Sequence, residues 1–358
     1  MSDVSDSAAG PSRASRPIRV VQWTSGIVGA SAIRAILDDP RLDLVGLYTY
    51  TADKIGQDAG TLVGRAPNGV RATNDIDAII ALKPDCLVYM PHWPDIAELE
   101  CMLASGINVV TTARLVTGEF YPEDAGARLA RAAERGGATL VGTGCNPMHV
   151  PTLALSATAL CRHVNRISVT ESLDCFLYDN GPTWSGYGFG GPPDTETIKT
   201  ALLEAEPDYL ETVALMARAI GVELDDIRLN VSCAVSLRER DLGYMRIAAG
   251  TVCGVDATWT GESNGAEVAE FRTQWTLGST LGHSQEPEWK LTNGYVVRVD
   301  GEPNVRLQMS FMPADFDEFD IGTTTAMPAV NAIPGVVAAR PGVLSTFDLP
   351  VITGRARN

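Results

Sequence analysis

The chain has 358 residues, 45% of them hydrophobic, and a formal net charge of −16 at pH 7, which suits a globular protein of about two domains. The acidic balance disfavours nucleic acid and anionic membrane surfaces as partners, because both require a basic face. Seven dispersed cysteines without a CxxC pair and four scattered histidines predict reduced thiols in a cytoplasmic protein and no metal site.

The first 150 residues divide into a polar tail and an alternating segment. Residues 1–17 are rich in Ser and Ala and lack an apolar core, which predicts a disordered tail rather than a signal peptide. From residue 18 to 150, strands are predicted at 18–23, 42–50, 86–90, 108–112 and 139–142, and helices at 29–38, 76–82, 95–105 and 125–136. This alternation is typical of an α/β protein with a parallel, doubly wound sheet, so residues 18–150 predict a Rossmann-type dinucleotide-binding domain.

The pattern changes after residue 150. Residues 151–322 predict an α+β substrate domain with a mostly antiparallel sheet. Its predicted elements are a helix at 152–161, a strand at 167–174, a loop rich in Gly, Pro and aromatic residues at 178–193, one helix at 196–220, and long strands from 227 to 312. Residues 323–358 begin with a small, apolar stretch, and we expect them to pack back on the first domain.

A glycine turn joins the first predicted strand to the first predicted helix. Gly26 and Gly29 occupy two positions of the three-glycine dinucleotide fingerprint, and Thr24 stands where the first glycine would be. Such a turn lets backbone amides and a helix N-terminus hold a pyrophosphate, although any tight strand–helix turn produces the same short motif. The predicted cofactor contacts are Thr24, Ser25, Gly26, Ile27 and Val28.

The second predicted strand bears on the choice of cofactor. An acidic residue at its end would indicate recognition of the ribose 2′-hydroxyl of NAD. The chain instead has Thr49 and neighbouring hydroxyl residues there, followed by Lys54. Because these groups can accommodate a 2′-phosphate, the sequence favours NADP over NAD and leaves dual use open.

Other segments are expected to reach the same crevice, because ligands of such sheets bind beyond the carboxyl ends of the strands. The predicted cofactor contacts from these strand ends are Pro91, Thr111, Thr112 and Asn146. The predicted substrate contacts are Pro147, Trp184, Tyr187 and His283. Exposed aromatic residues in the loop 178–193 suggest a lid, although core packing or a dimer contact would explain them equally well.

Three motifs resemble a known family. The segments QWTSGIVG at 22–29, KIGQDAG at 54–60 and GCNP at 144–147 resemble the dihydrodipicolinate reductase-like proteins, and within them the 2,4-diaminopentanoate dehydrogenase and native amine dehydrogenase branch. The resemblance covers most of the chain from residue 18. It implies a C-terminal domain that mediates homodimer formation and reduction of C=N bonds with NAD(P)H.

The resemblance also bears on the catalytic group. The reductase of lysine biosynthesis carries a His-His pair, whereas this chain has SLDCF at 172–176 in that region, so dihydrodipicolinate itself is not the expected substrate. In the amine dehydrogenase branch, a glutamate follows the fifth strand ahead of a Tyr-Pro. The resemblance therefore implies that Glu119 is the catalytic carboxylate, with a solvated loop carboxylate as the alternative.

The expected activity is NAD(P)-dependent reductive amination of a small apolar ketone or aldehyde, with ammonia as the second substrate. A carboxylate near neutral pKa would exchange the protons, and the protein would mainly position the reactants. Two alternatives stay open. One is a carbonyl or alcohol reductase on the same scaffold, and the other is a non-catalytic dinucleotide-binding paralogue.

Overall fold

The computed structural model describes residues 16–278, 289–312 and 320–356. The first half of the described chain forms a parallel sheet covered by helices. Its strands are β1 Ile18–Trp23, β2 Leu42–Tyr48, β3 Ala72–Thr73, β4 Cys86–Tyr89, β5 Asn108–Thr111 and β6 Thr139–Gly142. Its helices are α1 Ile27–Asp38, α2 Ala59–Leu62, α3 Ile76–Ala81, α4 Ile96–Ala104 and α5 Ala125–Gly136. Strands β4 and β6 are buried along their whole length, as expected where helices cover both faces of a parallel sheet.

These strands lie in the order β3-β2-β1-β4-β5-β6, and every described pairing among them is parallel. This is the strand order of a Rossmann fold. The order reverses between β1 and β4, where dinucleotides bind in such sheets. The predicted doubly wound sheet is therefore confirmed.

The second half forms a six-stranded sheet with helices α6 Val150–Thr158, α7 Gly181–Gly186, α8 Thr195–Ala205 and α9 Pro207–Ala219. Its described strands are β7 Val164–Asp174, β8 Asp226–Val235, β11 Val252–Ser263, β12 Ala266–Thr276, β13 Gly294–Gly301 and β14 Val305–Met309, with a separate pair β9 Arg240–Asp241 and β10 Arg246–Ile247. The order is β14-β13-β7-β12-β11-β8. Strands β7 and β12 are parallel and the other described neighbours are antiparallel, which confirms the mostly antiparallel sheet.

The C-terminal segment returns to the first sheet. Helix α10 Thr323–Ala338 buries Ala326, Ala329 and Ile333 in the same apolar cluster as Ile33 of α1. Strand β15 Gly342–Leu344 then pairs in parallel with β6. Within the described residues, no helix combines the length and the apolar character that crossing a membrane requires.

The single helix predicted over residues 196–220 is wrong. Helices α8 and α9 are separated at Glu206, whose backbone has φ −129° and ψ 52°. The cause is Pro207, because a proline disfavours helical geometry in the residue before it. At this break the Glu206 side chain is buried in the interior.

The aromatic residues of the loop 178–193 match core packing, one of the alternatives that the sequence left open. Trp184, Tyr187 and Phe189 are at most 5% exposed and belong to the apolar core of the second half. The indole of Trp184 packs edge-on against Tyr187, Phe189 and Trp275. These side chains are therefore a fixed part of the interior, and an exposed aromatic lid is not what the structure shows.

Candidate active site

A cavity of about 1200 Å³ lies between the carboxyl ends of the parallel strands and the second sheet. The turns after β1, β2, β4, β5 and β6 all contribute to its lining, as expected for a Rossmann fold. From the second half, the lining includes Glu171 of β7, Trp275 of β12 and Tyr295 of β13. The start of α10 adds Thr324 and Thr325. The cavity is thus built by both halves of the chain.

The turn after β1 has the geometry of a dinucleotide loop despite its missing glycine. Thr24 adopts a φ of 74°, a left-handed conformation that is rare for a β-branched residue. Its hydroxyl donates to the Met90 carbonyl oxygen at 3.0 Å, which holds the turn against the end of β4. Apart from Gly26 and its two chain neighbours, no atom of the described residues lies within 4 Å of the position that a Cβ of Gly26 would occupy, so space for a ligand is open there.

Gly29, unlike Gly26, has no space for a side chain. A Cβ at this position would lie 2.5 Å from the Thr24 carbonyl oxygen, closer than any real Cβ contact. We therefore expect Gly29→Ala to displace the turn and to weaken dinucleotide binding at least tenfold, measured by fluorescence titration with NADPH. Gly354→Ala, which adds the same methyl group into open space away from the cavity lining, is the control. Unchanged affinity in Gly29→Ala would show that the turn does not hold the cofactor.

The loop after β2 presents a basic group to the same end of the cavity. The Lys54 ammonium donates to the Ser25 carbonyl oxygen at 3.0 Å and to the Ser25 hydroxyl at 3.1 Å. Thr49, Tyr50 and Thr51 line the cavity beside it, and among the described residues of this loop no carboxylate does. The region that would face the adenosine ribose is therefore positive and rich in hydroxyls.

Two polar atoms near the end of β6 are buried without a partner in the described part of the chain. They are the Thr143 hydroxyl and the Asn146 side-chain oxygen, and both residues line the cavity. Buried polar atoms in folded proteins nearly always have hydrogen-bond partners. A nicotinamide ribose and carboxamide would supply such partners at this strand end, so these residues fit a nicotinamide dinucleotide.

Glu171 is a buried carboxylate in the lining of the cavity. Its carboxylate accepts hydrogen bonds from the Trp275 indole at 2.9 Å, from the Tyr295 hydroxyl and from the Asn146 amide. The residue is only 6% exposed. Burial is the largest effect on its pKa and raises it to about 7, although the three hydrogen bonds act in the opposite direction. A carboxylate with this pKa can both accept and donate a proton near neutrality.

A second group of buried charges lies where α8 meets α9. The Arg114 guanidinium, which follows β5, pairs with the Glu206 carboxylate and donates to the Tyr187 hydroxyl. Its charge also lies over the rings of Trp93 and Tyr187, at 4.7 and 5.4 Å from their centroids. The pair joins the first half of the chain to the second across the cavity.

Two further acids follow on α9. Asp208 lines the cavity, and burial raises its pKa well above the ordinary value, with the charge of Glu206 as the next contribution. Glu211 turns the other way and accepts the backbone amides of Val116 and Thr117 at 2.7 and 2.9 Å. Glu211 therefore orders the loop after β5, whereas Asp208 is a buried part of the cavity lining.

Most of the sequence-predicted site residues line this cavity. They are Thr24, Ser25, Gly26, Ile27, Val28, Thr49, Lys54, Pro91, Thr112, Asn146, Pro147, Trp184 and Tyr187. Thr111 does not, because it is fully buried and its hydroxyl accepts the Ala113 amide at 2.9 Å. The predicted substrate contact His283 lies outside the described residues.

Glu119 is also placed away from the lining. Its carboxylate forms a bidentate ion pair with Arg218. The Glu119 side chain is 44% exposed and the Arg218 side chain is 35% exposed. This geometry does not bring Glu119 to the place where a C=N carbon would lie. It matches the alternative of a solvated loop carboxylate instead.

The sequence reasoning missed Glu171, Arg114, Glu206 and Asp208. Glu171 stands inside the predicted strand 167–174, directly before the SLDCF segment, and nothing in that pattern marks it as functional. Glu206 was hidden by the assumption of one continuous helix. The Glu-Pro pair at 206–207 is the signal that would have revealed the break and the acids beside it.

A Rossmann sheet with a glycine turn opening into a large cavity is the arrangement of nicotinamide dinucleotide-dependent oxidoreductases. The family model of the 2,4-diaminopentanoate dehydrogenase C-terminal domain matches residues 149–357. The chain therefore belongs to this family, and the family resemblance seen in the sequence is confirmed. It is an oxidoreductase of the nicotinamide-dependent class.

Similar proteins agree with this assignment. An amine dehydrogenase from Streptomyces virginiae is 29% identical over 357 residues, covering 93% of this chain and 96% of the relative. A 2,4-diaminopentanoate dehydrogenase from Acetoanaerobium sticklandii is 27% identical, covering 71% and 69%. The solved structure of an amine dehydrogenase from Mycobacterium smegmatis, 22% identical, covers 94% of this chain and 97% of that chain with a TM-score of 0.73, so the two share a fold.

Proposed function

We propose that the protein is an amine dehydrogenase that couples NADPH oxidation to reductive amination of a ketone or aldehyde. The observation that carries the proposal is the Glu171 carboxyl group, with a pKa of about 7, in the lining of the cavity. It lies next to Asn146, at the strand end where the nicotinamide of a bound dinucleotide is expected. Support comes from the relatives, two of which are dehydrogenases of amines by name.

The proposed chemistry needs proton transfer as well as hydride transfer. Ammonium must lose a proton before the nitrogen adds to the carbonyl carbon, and the departing oxygen must gain protons to leave as water. Glu171 takes the first proton and returns one to the oxygen, because its pKa lets it exist in both forms. When bound, NADPH supplies the hydride that reduces the C=N carbon.

The neighbours of Glu171 prepare it for this role. Its two oxygens offer about four lone pairs, and the Trp275, Tyr295 and Asn146 donors occupy three of them. One position is left to accept a proton from the substrate. The same three donors fix the orientation of the carboxylate, so the ordering is complete before the substrate arrives.

The test is a spectrophotometric assay of NADPH oxidation with ammonium and a panel of small ketones and aldehydes. We expect oxidation that requires both the carbonyl compound and ammonium. Oxidation that proceeds equally without ammonium would favour a carbonyl reductase. Tight NADPH binding without oxidation of any compound would favour the non-catalytic paralogue.

The preference for NADP over NAD is part of the proposal and rests on Lys54. We expect Lys54→Ala to raise the dissociation constant of NADPH by about 10- to 100-fold and that of NADH much less, because only NADPH carries the 2′-phosphate. Calorimetric titration with each cofactor measures both constants. The exposed Lys83, changed to Ala, is the matched control for loss of a positive charge. Equal effects on the two cofactors would contradict the assignment.

The homodimer and the cytoplasmic location stay proposals. The family resemblance implies the dimer, and light scattering of the purified full-length chain tests it directly. All seven cysteines lie in described residues and carry free thiols, which suits a reducing compartment. Fractionation of cells that produce the full chain tests the location.

A further inference from the structure

Tyr209 of α9 presents a buried hydroxyl group to the proposed reaction centre. Its ring stacks on Trp259, with 4.3 Å between the ring centroids, and meets Phe271 edge-on at 5.2 Å. Neither of these two neighbours lines the cavity, whereas Tyr209 does. The ring is therefore held in the interior of the second half of the chain, and its hydroxyl end is the part that reaches the cavity.

The Tyr209 hydroxyl still has a proton to donate. The Asn146 amide donates to the hydroxyl oxygen at 2.9 Å, and within the described residues no acceptor takes the hydroxyl proton. A tyrosine hydroxyl both accepts and donates. The Tyr295 hydroxyl, by contrast, is already committed to Glu171. Because buried donors in folded proteins nearly always have an acceptor, a ligand of the cavity is the expected acceptor for Tyr209.

Asn146 also sets the distance between the Tyr209 hydroxyl and Glu171. Its amide nitrogen donates to both groups. Two acceptors that share one amide nitrogen lie about 5 Å apart, given ordinary hydrogen-bond lengths and angles. A carbon that carries both a nitrogen and an oxygen can therefore place its nitrogen against Glu171 and its oxygen against Tyr209. Such a carbon forms in reductive amination when the nitrogen adds to the carbonyl group.

We propose that Tyr209 is a second catalytic residue, which donates a hydrogen bond to the carbonyl oxygen of the substrate. This inference rests on the proposed function and adds to it the group that stabilises the oxygen. Burial raises the pKa of Tyr209 well above its ordinary value, and the charges of Glu206 and Glu171 act in the same direction. Tyr209 therefore keeps its proton and stabilises negative charge on the oxygen as a preorganised donor.

In this reaction Glu171 is the group that gains and loses a proton. Glu171 takes a proton from ammonium, and the nitrogen lone pair forms a bond to the carbonyl carbon. The π electron pair of the C=O bond moves to the oxygen, which accepts from the Tyr209 hydroxyl. A proton then shifts from the nitrogen to this oxygen. Protonated Glu171 gives its proton to the resulting hydroxyl group, the C–O bond breaks, and water leaves an iminium carbon that accepts the hydride of NADPH.

Tyr209→Phe tests the assignment, because it removes the hydroxyl and keeps the ring that packs on Trp259. For the ketone that the wild type aminates fastest, we expect kcat to fall by about 10²- to 10³-fold, the usual effect of removing one donor to a developing oxyanion. With the corresponding amine and NADP⁺, stopped-flow absorbance follows NADPH formation in a single turnover. This rate should stay close to wild type, because hydride leaves the amine before any oxygen is bound to the carbon.

Tyr244→Phe is the matched control. The Tyr244 hydroxyl donates to the Phe176 carbonyl oxygen at 2.9 Å, and Tyr244 itself does not line the cavity. Loss of this hydroxyl should leave both rates close to wild type. Calorimetric titration with NADP⁺ reports whether the cofactor site is intact in each variant.

The two rates distinguish a catalytic Tyr209 from one that only holds Asn146 and Glu171 in place, because the loss of a positioning residue would slow both reactions. Equal losses in both reactions, or an unchanged kcat for amination, would overturn the assignment of Tyr209. Ketone reduction that needs Tyr209 but not ammonium would keep the donor and overturn the amine dehydrogenase proposal. A wild-type protein that oxidises NADPH with no ketone or aldehyde of the panel would overturn both.

Discussion

Replacing Glu171 with Gln is expected to slow amine turnover by about 10²- to 10⁴-fold, the usual contribution of a general acid–base group. Glutamine has almost the same shape and can still accept from the Trp275 and Asn146 donors. The loss should therefore come from the missing proton transfer rather than from altered packing. Steady-state kcat for oxidative deamination measures the effect, and NADP⁺ affinity reports whether the cofactor site is intact.

The pH dependence of the reaction rate tests the proton-transfer role of Glu171 independently. Oxidative deamination needs Glu171 deprotonated, so the wild-type rate should rise with pH through an apparent pKa near 7. Because burial raises the folded-state pKa above its usual 4.5, this group should also lower the free energy of unfolding as pH rises from about 4.5 through 7. Glu171→Gln should remove both trends.

Glu119→Gln is the informative companion to this variant. Glu119 is the residue that the family resemblance indicates, but its ion pair with Arg218 holds it away from the cavity lining. We expect Glu119→Gln to keep most of the wild-type rate. A large loss of the reaction rate in Glu119→Gln, together with an active Glu171→Gln, would show that Glu119 is the catalytic carboxylate.

The second large effect concerns stability. Arg114→Ala should lower the free energy of unfolding by about 3–5 kcal/mol, because it leaves the buried Glu206 carboxylate without its partner. The Tyr187 hydroxyl loses the same contact. Urea unfolding followed by circular dichroism measures the change. The double variant Arg114→Ala with Glu206→Gln should recover part of the loss, since it also removes the uncompensated charge.

Arg218→Ala is the control for this comparison. It breaks the ion pair with Glu119, in which both side chains are substantially exposed. Exposed pairs contribute about 1 kcal/mol or less. Similar losses in Arg114→Ala and Arg218→Ala would mean that burial does not distinguish the two pairs, contrary to the structure.

The sequence predicted the first half of the fold well because its signals are local. Apolar runs of strand length alternate with helical segments, and the turn at 24–29 marks the first crossover. The same signals pointed to Thr24, Gly26 and Lys54, which the structure brings to one cavity. Thr24 and Gly26 directly follow β1 and Lys54 lies in the loop after β2, so the order of the strands is enough to bring them together.

The substrate end could not be predicted in this way. Burial raises the pKa of Glu171, and its hydrogen-bond donors Trp275 and Tyr295 are more than a hundred residues away in the chain. A strand pattern assigns a residue to one face of a sheet, but it does not say which distant donors meet that face. The position of Glu206 depends on the break between α8 and α9. Glu119 belongs to a loop motif, and the sequence does not show where that loop lies relative to the cavity.

A crystal structure with NADP⁺ and a bound amine would test the central claim most directly. We expect the reacting nitrogen to lie within about 3 Å of a Glu171 carboxylate oxygen, with the reacting carbon next to the nicotinamide ring. A reacting nitrogen placed against another carboxylate, with Glu171 still held by Trp275, Tyr295 and Asn146 and out of reach of the amine, would contradict it.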